Sequence, residues 1–173
     1  PLFTAEWVPS GSLMILDVPD MAGVDAYLAE EPFSVEGVWG ERRILPFRIA
    51  PLPYQRLPKP GDPVATTRTH TVAIAYDGTD ADAPARRQAA RDAHIARMQP
   101  MAADGMLAIG GAIMDEAGSR MIGSITVTRH ATHEAAQAWM AEDPYVKGGV
   151  WQDITLHATR LAALPYRPLP GGA

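Results

Sequence analysis

Polar and apolar positions divide the second part of the chain into six elements. THTVAIAY (Thr69–Tyr76) alternates, is rich in β-branched residues and ends at the turn signal DGTD, which predicts a strand. ADAPARRQAARDAHIARMQPMAADG follows, with an early Pro84, an Ala/Arg-rich body and a closing Gly105, which predicts a helix from about Pro84 to Ala103. Pro100 lies inside it and is expected to kink or end the last turn. MLAIGGAIM (Met106–Met114) reads as a buried strand, DEAGS as a turn and RMIGSITVTR (Arg120–Arg129) as the antiparallel partner. Thr132 then caps a second helix, THEAAQAWMAED, with Pro144 just past its end, and WQDITLHATRLAAL is the last strand. The order βαββαβ is that of the split-βαβ, ferredoxin-like unit, so the fold class is α+β.

The tail of this unit also occurs earlier in the chain. Sliding the sequence by about 112 positions lays GSLMILDVPDMAGVDAYLAEEPFSVEGVWGERR on GSITVTRHATHEAAQAWMAEDPYVKGGVWQDIT without a gap. About 17 of 61 aligned pairs are identical, among them Gly11/Gly123, Pro32/Pro144, Gly37/Gly149 and Trp39/Trp151. The register persists to the end, where LPYQRLP at Leu52–Pro58 falls on LPYRPLP at Leu164–Pro170. Four segments follow: a partial, second-half repeat over 1–50, a Pro-rich linker over 51–68, a complete unit over 69–162 and a Pro-rich tail over 163–173. Nothing in the first copy corresponds to residues 70–112. Pro1 either follows a removed initiator Met in a genuine half-unit or begins a fragment of a longer product. Because an unpaired sheet edge is an aggregation hazard, the missing strand and helix are expected from a symmetry-related chain or an additional segment, making a homo-oligomer or a completed repeat the expected assembly. Tyr54 and Tyr166 are the expected anchors of the two Pro-rich straps, with a disordered tail as the alternative.

A net charge of -5 and the lack of any Lys/Arg cluster argue against nucleic acid as a partner. The chain has no cysteine, which excludes disulfides, thiolate metal sites and a Cys nucleophile. The absence also fits a reducing compartment. With no run of 18 apolar residues and no basic-then-apolar start, a soluble cytoplasmic protein without a membrane role is expected. His130 and His133 have H-x2-H spacing but no third ligand nearby, so no metal is expected, and His70 and His157 read as polar-face strand residues. Met98, Met101, Met106, Met114 and Met121 read as core, with a soft apolar pocket as the alternative. Gly110–Gly111 allows either close ligand approach or a tight strand crossing. No phosphate loop, nucleophile elbow or dinucleotide fingerprint is present.

R-D-A-H-I-A-R-M at Arg91–Met98, G-G at Gly110–Gly111, G-S at Gly123–Ser124 and W-M-A-E-D-P-Y-V-K-G-G-V-W at Trp139–Trp151, taken in order, resemble the YciI-like (YCII-related) family. The resemblance covers nearly all of Thr69–Leu161 and implies a dimeric α+β barrel, in which ferredoxin-like units pack sheet to sheet around a cavity. It implies an acid/base dyad of His94 and Asp143, and lyase or isomerase chemistry without a cofactor, because relatives include an enzyme that removes HCl from a chlorinated hydroxyquinone and muconolactone isomerases use the same scaffold. On that reading Met98, Gly110, Gly111 and Tyr145 line the binding site of an apolar, aromatic or lactone-like small molecule. An imidazole titrates near neutrality and can accept and donate a proton, and a carboxylate in reach would fix its tautomer. The competing reading has Asp143 shaping the turn before Pro144 and His94 as a satisfied core residue, leaving a non-catalytic ligand-binding or assembly module. In the first copy Glu31-Pro32-Phe33 replaces Asp-Pro-Tyr and no histidine helix is present, so one candidate dyad remains and the first copy reads as a structural wall.

Overall fold

The computed structural model describes residues 1–172 of the chain. In chain order its elements are β1 (Leu2–Phe3), β2 (Pro9–Gly11), α1 (Met21–Glu30), α2 (Pro32–Val35), β3 (Phe47–Ile49), β4 (His70–Asp77), α3 (Ala83–Ala103), β5 (Leu107–Met114), β6 (Met121–Thr128), α4 (His133–Ala141), α5 (Pro144–Lys147) and β7 (Trp151–Thr159). The strands form one seven-stranded sheet in the order β2-β1-β7-β4-β6-β5-β3. Neighbours pair antiparallel throughout. The middle four strands, β7-β4-β6-β5, place the unit's fourth strand beside its first and its third beside its second, the arrangement of a split βαβ unit.

Alternation along β4 sorts the two faces. Val72 joins Ile109, Ile113, Ile125 and Val127 on one side, while Ala73 and Ala75 pack under Met140, Tyr145, Val150 and Trp151 on the helix side. The small alanines let the helices lie close to the sheet. α3 buries Ala83, Arg87, His94, Met98 and Ala102, a stripe spaced by four and seven residues that marks one helix face. The helix runs past Pro100 to Ala103. Pro100 stands so near the end that its missing N–H costs one bond in the last turn, and Gly105, at φ 76°, supplies the left-handed residue that closes it.

Residues 1–50 depart from the second-half repeat expected there. Their strand positions do not build a second half-sheet. Residues 12–46 contain α1 and α2 but no strand, while the β1–β2 hairpin extends the common sheet beyond β7 and β3 extends it beyond β5. An isolated strand leaves its backbone groups unpaired, so β1 and β3 take the two edges of the complete unit and β2 pairs with β1. Leu13, Leu45, Leu57, Leu161 and Leu169 then cover the sheet face away from the helices.

Of the two Pro-rich straps, the first is seated. Tyr54 is 1% exposed, and its hydroxyl donates to Gly110 O at 2.9 Å and accepts from Gly110 N at 3.2 Å. Tyr166, its counterpart, is 41% exposed. No helix among the described residues is long and apolar enough to cross a membrane.

Candidate functional site

His94 comes from the middle of the buried α3 stripe, and Asp143 from the joint between α4 and α5. Its backbone is extended and its side chain caps α5 by accepting from Tyr145 N at 2.8 Å. One helical turn opens at Pro144, which gives the carboxylate a local backbone partner. The same Oδ1 lies 2.8 Å from His94 Nδ1, and Oδ2 accepts from Arg97 Nη1 at 3.1 Å. His94 is 8% exposed and Asp143 0%.

These contacts assign the proton. A carboxylate flanked by a guanidinium and a backbone N–H only accepts, so the Nδ1 facing it carries the hydrogen, and in a neutral imidazole Nε2 then holds the free lone pair. Among the described residues no group hydrogen-bonds to Nε2. The imidazole is therefore arranged as an acceptor, with a charge in place to stabilise the imidazolium that protonation creates.

Aromatic packing holds the ring. Tyr145 stacks on His94 with centroids 3.9 Å apart and planes 11° from parallel, and Trp151 meets it edge-on at 5.5 Å. Behind Tyr145, the Arg87 guanidinium lies 4.8 Å from the phenol ring centre. Arg87 donates to both Asp77 oxygens, at 2.8 and 2.9 Å, and to Ser124 Oγ at 2.9 Å, while Trp151 Nε1 donates to the same Ser124 Oγ at 3.2 Å. Burial pushes the Asp77 carboxyl above its ordinary range although Arg87 pulls it down, and burial likewise raises the Tyr145 phenol. Arg97 is held by Trp139 O at 2.7 Å and lies over the Trp139 ring at 4.6 Å.

The predicted site residues fall into two groups. His94, Asp143 and Tyr145 come together. Met98, one turn further along α3, instead joins Leu52, Tyr54, Ala102 and Leu107. Gly110 is occupied by the Tyr54 hydroxyl. Gly111 lies against β3, where an added Cβ would come within 2.6 Å of Phe47 Cζ and 2.9 Å of Ile49 Cα, the tight strand crossing among its two readings. A cleft of about 250 Å³ runs between the two Pro-rich segments, and one of about 480 Å³ lies beside Trp7, Arg68 and His133; neither is lined by His94. Among the described residues no group of three or more His, Cys, Asp or Glu is set to hold a metal.

Sequence reasoning passed over Arg87, Arg97, Ser124 and Trp151 as parts of this network. Arg87 had a signal: it lies seven residues before His94 on the stripe that ends in Met98 and Ala102, where an arginine must be buried and hence paired. Arg97, three residues after His94, shares its side of the helix.

Comparison with known proteins follows the complete unit. The YCII-related domain model matches residues 69–158. Protein YciI of Escherichia coli O6:H1 is 32% identical over 88 residues, which are 48% of this chain and 90% of that protein, and protein YciI of Shigella flexneri matches equally. An uncharacterized protein of Haemophilus influenzae is 36% identical over 74 residues, 40% of this chain and 76% of its own. A solved structure of 5-chloro-2-hydroxyhydroquinone dehydrochlorinase (TftG) from Burkholderia phenoliruptrix, in complex with 2,5-dihydroxybenzoquinone, aligns with a TM-score of 0.42 at 17% identity, over 50% of this chain and 89% of that one. With the family's model spanning just over half of its length, this chain belongs to the YCII-related domain family.

Proposed function

We propose that the His94–Asp143 pair is the proton-transfer centre of a cofactor-independent lyase or isomerase acting on a small apolar molecule of aromatic or lactone-like kind. The observation that carries this reading is the 2.8 Å contact between two buried side chains, with Asp143 further held by Tyr145 N and Arg97 and with Nε2 left without a protein partner. Nε2 takes a proton from the substrate, and the Asp143 carboxylate stabilises the imidazolium. In an elimination the substrate's electron pair then expels an anionic leaving group to solvent and the imidazolium returns its proton to water. In an isomerisation the same proton is delivered to a second substrate atom. Tyr145 supplies the flat face beside the imidazole.

The first copy supports a chemical role over a purely structural one. Glu31 occupies the place of Asp143 and caps α2 by accepting from Ser34 N at 2.8 Å with no histidine beside it. A carboxylate thus suffices for the turn, and the contacts to His94 and Arg97 are additional. The unit over 69–162 carries the chemistry, with 1–50 as a partial, second-half repeat, 51–68 as its linker and 163–173 as its tail.

A second reading, a non-catalytic ligand-binding module, is favoured by one observation: neither of the two clefts includes His94. Turnover of a chlorinated hydroxyhydroquinone, followed by chloride release, and of a muconolactone, followed by absorbance, separates the two. His94→Gln is expected to lower turnover ~100–10,000-fold while the thermal midpoint stays within a few degrees. Full activity in that variant, or ligand binding without turnover in the parent, would reject the catalytic reading.

A further inference from the structure

Around α2, residues 12–39 repeat local contacts found around α5. α2 and α5 have bounds 112 positions apart, and Gly37 and Gly149 end them with φ of 68° and 63°. Trp39 Nε1 donates to Ser12 Oγ at 3.3 Å, as Trp151 Nε1 does to Ser124 Oγ at 3.2 Å. Phe33 meets Trp39 edge to face at 77°, as Tyr145 meets Trp151 at 73°. Val38 N and Val150 N each donate to the carbonyl of that aromatic residue, at 2.9 and 2.8 Å.

What differs is the cover. Tyr145 is 3% exposed and Val150 0%, beneath α3 and against β4, whereas Phe33 is 52% and Val38 63% exposed. Met14 and Ile15, in the places of the buried Thr126 and Val127, are also exposed and lie outside any strand. Among the described residues, eight of the twelve exposed large apolar side chains fall between Val8 and Ile44. An apolar concentration of this kind marks a contact surface, and its buried counterpart in the same chain shows the shape of what covers it.

We infer that the α1–α2 face is a docking surface for one occupant, a strand–helix–strand segment of the type Thr69–Ala112. Its strand lies along residues 12–16 as β4 lies along β6, and its helix covers Phe33 and Val38 as α3 covers Tyr145 and Val150. The chemistry of the segment follows from the counterpart positions. A cationic side chain in the place of Arg87 stacks over Phe33, and a donor in the place of His94 or Arg97 meets Glu31. This inference is independent of the chemistry proposed for His94.

The test joins a second Thr69–Ala112 segment in frame ahead of Pro1 and compares amide hydrogen exchange over Met21–Val38 in this fusion and in the 173-residue chain. The expected result is exchange slowed at least ~10-fold in the fusion, since burial under a packed helix moves these amides from local fraying toward global opening. Phe33→Asp should abolish that gain in the fusion. A folded fusion with unchanged exchange overturns the inference. So does a 173-residue chain that covers the same face by dimerising in light scattering and becomes monomeric with Phe33→Asp, because the occupant is then a second copy. A variant of the unfused chain, Phe33→Ser with Val38→Ser, stands apart from whether the fusion folds. Its midpoint should move by no more than about 2 °C if the face is uncovered, and a larger fall overturns the inference.

Discussion

Asp143→Asn tests the assignment of the buried network because it keeps the shape and removes acceptors. Three donors converge on the carboxylate: Tyr145 N at 2.8 Å, His94 Nδ1 at 2.8 Å and Arg97 Nη1 at 3.1 Å. An amide has one accepting oxygen and a donating nitrogen, so it cannot serve all three. The Tyr145 N–H is fixed in the backbone, which turns the amide oxygen toward it and toward His94 and leaves NH2 facing Arg97. An unsatisfied buried donor costs about 1–3 kcal/mol, and breaking a buried ion pair about 3–5 kcal/mol. Arg97 keeps its bond to Trp139 O, and its side chain is 18% exposed, which places the expected cost at about 2–3 kcal/mol. For a chain of this size that is a fall of about 4–12 °C in thermal midpoint. Urea and thermal unfolding measure the loss, and ¹⁵N spectra of the imidazole report whether Nδ1 still carries the hydrogen, which it should. Adding Arg97→Met should recover part of the loss, since the misplaced donor is gone. A variant within 0.5 kcal/mol of the parent, or equal losses with and without Arg97, would show that Asp143 does not hold this network.

Two further outcomes are expected. Tyr54→Phe leaves the Gly110 N–H without its acceptor beneath the first strap and should cost about 1–3 kcal/mol in urea unfolding; no loss would mean that water replaces the hydroxyl. For pH, burial and Arg129 pull His70 down to about 4. The folded state then binds fewer protons than the unfolded chain between about pH 4 and 6.5, so stability is full above that window and falls as the pH drops through it. Burial shifts His130, His133 and His157 the same way, while Asp77, held above its ordinary range, acts in the opposite sense at the acid end. His70→Asn should flatten the decline between pH 7 and 4.5, and an unchanged slope would refute the shift.

The elements of the complete unit were legible because each has a local cause. Alternation along Thr69–Tyr76, the Pro84 start and Gly105 stop of α3 and the Thr132 cap of α4 act within a few residues, and the observed bounds differ from the expected ones by a residue or so at most ends. His94 and Asp143 were named through the family resemblance of R-D-A-H-I-A-R-M and D-P-Y, and the repeat marked Asp143 as a counterpart of Glu31. What depended on tertiary structure is what joins distant positions. His94 and Asp143 are 49 residues apart, and Tyr54 and Gly110 are 56 apart; no local pattern records either bond. The fate of residues 1–50 is of the same kind. Their strand-like positions at Met14 and Ile15 resemble those of β6, yet a strand forms only where a neighbouring backbone accepts and donates its hydrogen bonds. β6 has β4 and β5 on either side, whereas Met14 and Ile15 have no paired neighbour, so similar local preferences give a sheet interior in one place and an exposed apolar segment in the other.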